Sequence, residues 1–219
     1  MKNPIIKTNY FKKTYFIITS FIFVSIMMFQ IQNINSEENP IIDSQMTFAE
    51  ATKGTEAPKA LLDSLRLLDV EYYSFDKKLH KGQILVHKLI KDEVIIFFDK
   101  AKSMRFPIHS VIPIVKFGWS DEKSMEANNS SAFNFRKVEG SDKYSNHAYG
   151  LAIDINPFNN PVIYSNGRIS PQGAEYKEDG EGVFTADHPL VKGMKRQGFR
   201  WGGDWTTLKD YHHFDKIQK

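Results

Sequence analysis

The hydrophobic pattern opens on one long apolar run. Tyr15 to Phe29 is apolar apart from Thr19, Ser20 and Ser25, and a short basic, polar stretch precedes it. That order matches the n-region and h-region of a secretory signal. At about fifteen residues the run is shorter than the roughly 20 of a full membrane span. A cut after Ser36 would follow Ile34, which is not small. Two readings therefore stand side by side: residues 1–36 as a cleaved signal peptide, or an uncleaved signal-anchor held in the membrane by residues 14–31. Both carry the rest of the chain out of the cytoplasm, because the lysines lie before the apolar run. Residues 37–58 are polar and weakly patterned, with Pro40, Gly54 and Pro58, and read as a linker.

From residue 59 the pattern becomes that of a folded domain, 59–219. Residues 59–68 alternate as a short amphipathic helix. Residues 72–75 and 83–89 read as strands with Lys81-Gly82 as the turn between them. Val94, Phe97, Phe98, Ala101 and Met104 recur at helical spacing, so 92–105 is the strongest helix, ended before Pro107. His109–Phe117 reads as a strand with Pro113 at an edge or bulge. Leu151 to Ile155 is a short apolar strand, 157–182 a long Gly/Pro-rich loop, and 187–198 a second helix with Pro189 in its first turn. These elements predict an α+β fold, a small, largely antiparallel sheet with flanking helices.

Composition narrows the chemistry. The chain has 219 residues, 41% of them hydrophobic, enough for one core plus a tail. It has no cysteine, which excludes disulfides, thiol nucleophiles and Cys-type zinc sites. The formal charge is +3, but Lys2, Lys7, Lys12 and Lys13 precede every acid, and without them the remainder carries −1. No basic patch with interleaved aromatics argues for nucleic acid. Contact with a membrane is expected only through an uncleaved N-terminal segment, and a monomer is expected.

The candidate chemistry lies in Ser145–Asp154, S-N-H-A-Y-G-L-A-I-D. His147 sits on a loop, Gly150 makes a turn, and Asp154 follows in an apolar strand. A carboxylate buried among isoleucines must be paired or bound to a metal. A nitrogen and an oxygen ligand suit zinc. The third ligand comes from His212 or His213, and an extended chain throws neighbours to opposite sides. His213 is favoured, because Asp210 stands three residues before it as a candidate general base and Phe214 after it as an anchor.

At this point S-N-H-A-Y-G-L-A-I-D, preceded by S-A-F-N-F-R and followed by W-G-G-D-W and D-Y-H-H-F, resembles the zinc D-alanyl-D-alanine carboxypeptidases and dipeptidases of the VanY-like kind. The pattern S-x-H-x-x-G-x-A-x-D is filled by Ser145, His147, Gly150, Ala152 and Asp154. The later acid, histidine and aromatic are Asp210, His213 and Phe214, with Asp210 where many members carry Glu. The resemblance implies a hedgehog/D-Ala-D-Ala peptidase-like fold, Zn2+ on His147, Asp154 and His213, Asp210 as base, and Arg136 as the residue that stabilises the oxyanion. Ser145, His212 and Trp201 are further candidates for substrate contact. The implied activity is hydrolysis of peptidoglycan stem peptides at the periplasm or cell surface, foremost as a D-Ala-D-Ala carboxypeptidase. An L-Ala-D-Glu endopeptidase and a non-catalytic, metal-bearing wall-binding module are the alternatives.

Overall fold

The computed structural model describes residues 39–217. The signal or anchor segment expected over 1–36 lies outside them. Among the described residues no helix is long and apolar enough to cross a membrane.

The chain from Pro40 onward forms one unit. Its elements, in order, are β1 (Ile41–Ile42), α1 (Phe48–Ala51), α2 (Lys59–Leu62), β2 (Leu65–Tyr73), β3 (Leu79–His87), α3 (Lys91–Ser103), β4 (Ser110–Val111), α4 (Asp121–Glu126) and β5 (Asn129–Ser130). After these come β6 (Ala152–Asp154), β7 (Val162–Tyr164), β8 (Ile169–Ser170), α5 (Pro189–Arg196), β9 (Arg200–Trp201), β10 (Leu208–Asp210) and β11 (His213–Asp215), with 3-10 turns at Ile114–Phe117, Asn146–Tyr149 and Gly202–Asp204.

The class is α+β, as expected, but one largely antiparallel sheet is not what forms. The strands make four small sheets: β1-β3-β2, β10-β7-β8, β6-β11-β9 and β4-β5. β1 on β3 and β4 on β5 are parallel pairs. Most of these strands have only two or three residues, too short to build one extended sheet. The expected linker also carries structure. β1 pairs with β3, and α1 is held by a capping box in which Thr47 and Glu50 exchange bonds.

α3 forms where the period of 3.6 was clearest. It buries Val94, Phe97, Phe98 and Ala101, with Asp92 and Glu93 in the first turn and Lys100 and Lys102 in the last, each placed to suit the helix dipole. Phe97 meets Phe98 edge-on at 5.4 Å and tilts onto Phe214 at 6.2 Å, while Phe184 closes edge-on against Phe214 at 5.2 Å. Each such fully buried ring contributes roughly 1.5–3 kcal/mol. Phe214 lies in the middle of β11, so the same aromatic cluster that holds the core together fixes the strand that carries His213.

Gly150 locks the other side. Its φ is +67°, and a Cβ there would lie 2.8 Å from the His87 backbone nitrogen. Its carbonyl accepts the His87 N–H at 2.8 Å, which docks the His147 loop on the end of β3.

Candidate metal centre and cleft

Two antiparallel strands assemble the centre. β6 and β11 pair in a register that sets His213 directly opposite Asp154. His147 arrives from the 3-10 turn Asn146–Tyr149, whose N-cap Ser145 accepts the His147 N–H at 3.2 Å. Ser145 thus shapes the turn from a buried position.

The three side chains converge. One donor atom each from His147, Asp154 and His213 lies within 4.8 Å of the others, and all three residues are buried. His147 Nδ1 donates to the Ala132 carbonyl at 2.5 Å, since a carbonyl can only accept. That bond fixes the orientation of the ring and turns Nε2 inward. His147 Nε2 stands 3.0 Å from Asp154 Oδ2 and 3.1 Å from His213 Nδ1, which in turn stands 2.9 Å from Asp154 Oδ1. Two ring nitrogens and a buried carboxylate this close together can share one cation. Tetrahedral zinc with bonds near 2.0–2.1 Å holds its ligand atoms about 3.3 Å apart. A few tenths of an ångström of opening would therefore admit it, and the residues fit the ion.

Electrostatics agree with a site built around positive charge. Burial works to raise the Asp154 carboxyl, but the charges of His147 and His212 and the bonds from His147 and His213 outweigh it and hold the group well below the usual range. Burial opposes charge on His213, yet Asp154 and Asp215 push it up to about 10.

Asp210 is delivered by β10, which pairs with β7 so that Asp210 faces Val162. Its neighbouring turn is tight: a Cβ on Gly202 would come within 2.4 Å of the Asp210 carbonyl oxygen. Asp210 Oδ1 lies 3.0 Å from His212 Nε2 but outside hydrogen-bond geometry, and this buried oxygen has no hydrogen-bond partner. His212 is itself buried. Its Nδ1 donates to the Asn160 carbonyl at 2.7 Å, so Nε2 is turned toward Asp210. Burial lowers and Asp210, then Asp154, raises its pKa, with a net rise to about 9. His212 therefore sits behind Asp210.

Arg136 lines the same cleft, of about 870 Å³, as His147, Asp154, Asp210 and His213. Its Nη2 is held 2.6 Å from Asp121 Oδ2, and its Nε is buried without a partner. Trp201 is a correction. Its ring is buried, bonded through Nε1 to the Tyr211 carbonyl at 2.9 Å, and packed in the core. The cleft tryptophan is Trp205, 5.3 Å from the His213 ring.

Sequence reasoning missed three residues here: Asp215, Asn146 and Asp121. Asp215, two positions past His213, is buried and accepts Asn146 Nδ2 at 2.6 Å and Arg200 Nε at 2.9 Å, with a further contact from Arg200 Nη2. Asn146 precedes His147, so Asp215 ties the two histidine-bearing segments together. It also stands 3.7 Å from His213 Nε2. These bonds and those of His213, Arg200 and Asn146 overcome burial and hold its carboxyl well below the normal range. The third is Asp121, the partner of Arg136. The signal for Asp215 was its spacing: alternate strand positions share a face, so an acid two residues from a ligand faces the same way.

Comparison with known proteins returns the family read from the motifs. Residues 139–216 match the sequence model of the D-alanyl-D-alanine carboxypeptidase family. The match contains the whole His147–Asp154–His213 group and Asp210, and begins just after Arg136. The peptidoglycan L-alanyl-D-glutamate endopeptidase CwlK of Bacillus subtilis (strain 168) is 30% identical over 91 residues, covering 36% of this chain and 42% of the relative. The chain thus spans less than half the length of that relative. No solved structure matches the chain.

Proposed function

We propose that this chain, which carries the sequence pattern of the D-alanyl-D-alanine carboxypeptidase family, is an exported zinc peptidase that hydrolyses peptidoglycan stem peptides. The observation that carries this reading is the convergence of three buried donors, His147, Asp154 and His213, beside a carboxylate oxygen of Asp210 that has no hydrogen-bond partner. Zinc in such a set supplies Lewis acidity, polarising a carbonyl and making water nucleophilic near neutral pH.

The chain's own groups do the rest. Asp210 takes the proton of the attacking water and passes it to the leaving amine. Arg136 stands on the cleft wall with five donors and stabilises the developing oxyanion once the substrate competes for it with Asp121. His212 orients Asp210, and Asp215 steadies His213 from behind.

The bond cut is foremost the terminal D-Ala-D-Ala bond, in keeping with the family description. Cleavage between L-Ala and D-Glu is the second reading, and the similarity to CwlK favours it. The presence of both Asp210 and Arg136 argues against a binding module that has lost turnover. We place the catalytic domain in the unit that begins at Pro40, acting as a monomer at the periplasm or cell surface, with residues 1–36 as its export signal or anchor. Zinc-loaded protein incubated with defined muropeptides, with and without a chelator, tests the proposal. Mass spectrometry should show loss of one terminal alanine in the first case and separation of L-Ala from the rest of the stem in the second. Identical product profiles with and without chelator would overturn it.

A further inference from the structure

One wall of the cleft carries a group that the reaction above does not use. The strands β10, β7 and β8 form a small antiparallel sheet in which Asp210 faces Val162 and Leu208 faces Tyr164. Residues two apart share a face. Asp210, Leu208, Val162 and Tyr164 therefore look the same way, and all four line the cleft. Tyr164 stands about 7 Å along the strand from the level of Asp210, the rise of two residues.

Arg168 comes from the same hairpin. Its guanidinium lies flat over the Tyr164 ring, 3.7 Å from the ring centre. The Tyr164 hydroxyl donates to Glu139 Oε2 at 3.0 Å, and Arg168 Nη2 reaches both Glu139 oxygens at 3.2 Å. Glu139 belongs to the opposite rim. It sits in the turn between Lys137 and Tyr144, which pair as a bridge, immediately after Arg136. One internal carboxylate thus spans the cleft mouth and is held by one arginine nitrogen and a phenol.

The two sides of this contact are unequal. Arg168 is braced by the tyrosine face on its own hairpin. Glu139 is 70% exposed and has Arg168 and Tyr164 as its anchors. An ion pair this open to water is weak and is readily exchanged.

The geometry points to Arg168 and Tyr164 as a carboxylate-binding subsite, filled at rest by Glu139 and taken over by an acidic peptide substrate. The inference rests on the peptidase reading of the same cleft and deepens it: the preferred substrate carries a free carboxylate within one or two residues of the scissile bond. Glu139 is then an internal competitor, and its release opens the mouth as the substrate binds.

Binding rather than turnover tests this. Two pairs of synthetic stem peptides are titrated calorimetrically into the full chain. Within each pair the peptides differ only as carboxylate or carboxamide, at the terminal alanine in one and at the glutamyl α-carboxyl in the other. The readout is the affinity ratio of acid to amide. For the pair that reaches the subsite, about tenfold is expected, the scale of one charge-assisted bond. Arg168→Met should bring that ratio close to one, and Tyr164→Phe should reduce it. Glu139→Gln should raise it above wild type. A ratio unchanged in Arg168→Met, or acid and amide bound equally by both wild type and Glu139→Gln, overturns the subsite. A retained ratio without cleavage would overturn the peptidase reading instead and leave the subsite standing.

Discussion

Two histidine–aspartate clusters stand out among the described residues, and one of them brings three residues together in metal-ligand geometry. In the cleft, His147 spends Nδ1 on a backbone carbonyl and turns Nε2 toward Asp154 and His213. In the N-terminal half, His80 turns Nδ1 toward Asp43 at 3.0 Å and Nε2 toward Asp76 at 3.2 Å. There the Tyr72 hydroxyl also donates to Asp43, and it stays a donor because burial, reinforced by Asp43, pushes its pKa up. His80 sets one ring nitrogen against each of two separate carboxylates, and Asp76 keeps much of its contact with water. In the cleft, atoms of three residues converge on one point. The same residue types thus make a structural tie where one ring bridges two separate acids, and an ion cradle where two rings and one acid converge. Among the described residues, the His147 group is the one cluster with metal-ligand geometry.

The largest expected effect breaks this distinction at its source. His147→Ala or Asp154→Asn should reduce bound zinc to background and activity by at least about 10³-fold, since several kcal/mol of charge stabilisation leave with the ion. Metal analysis of the purified variants gives the first readout. The second is stability: zinc should raise the wild-type unfolding midpoint, as any ligand of the native state does, and leave that of His147→Ala unmoved. Full zinc stoichiometry in either variant would mean that the ion lies elsewhere.

Next comes the separation of holding from reacting. Asp210→Ala should keep its zinc and lose about 10²–10⁴ in kcat. Substantial turnover in that variant would remove Asp210 as the base. Arg136→Met should cost about 10²–10³, again with metal retained, as for loss of an oxyanion donor.

A smaller effect is expected behind the cradle. Asp215 crosslinks Asn146 to Arg200 and faces the far side of His213. Asp215→Asn should weaken zinc about 10–100-fold, the usual cost of losing a supporting carboxylate, read by competition with a chelator of known affinity. An unchanged affinity would reduce Asp215 to a purely structural tie.

The cleft cluster was the most legible part of the sequence. Its ligands are typed by chemistry: a buried acid between isoleucines and a histidine at fixed spacing leave few alternatives. α3 was legible for a similar reason, because one helix carries its own period. What failed depended on contacts distant in sequence. Residues 59–68 satisfy a helical pattern, yet the helix stops at Leu62 because Leu65–Tyr73 pairs along its whole length with β3. Lys81-Gly82 looked like a turn but lies inside β3, which is buried on both faces from Gly82 to His87 and so shows no alternation. The real turn follows Ser74 and uses Lys77 at φ 65°, with no glycine to announce it. Pro113, read as a strand bulge, instead precedes the 3-10 turn Ile114–Phe117. Asp121 and Asp215 are ordinary acids until Arg136 and Asn146 are brought to them.

The smallest effect falls on the second cluster and is the sharpest test of the contrast. Asp43→Ala removes the acceptor shared by Tyr72 and His80 and leaves a buried phenol with one partner fewer. Tyr72 still accepts the Val111 N–H at 3.0 Å, so the site is damaged rather than emptied. The cost should be about 1–3 kcal/mol of stability, the price of an unsatisfied buried donor. Asp43 also follows β1, whose pairing with β3 it helps to hold, so unfolding should begin at the N-terminal end of the unit. Zinc content and turnover should match wild type. Denaturant midpoints and metal analysis on one sample separate the outcomes. A fall in zinc affinity with Asp43→Ala would mean that the two clusters are coupled through the core, and that tie and cradle are not independent.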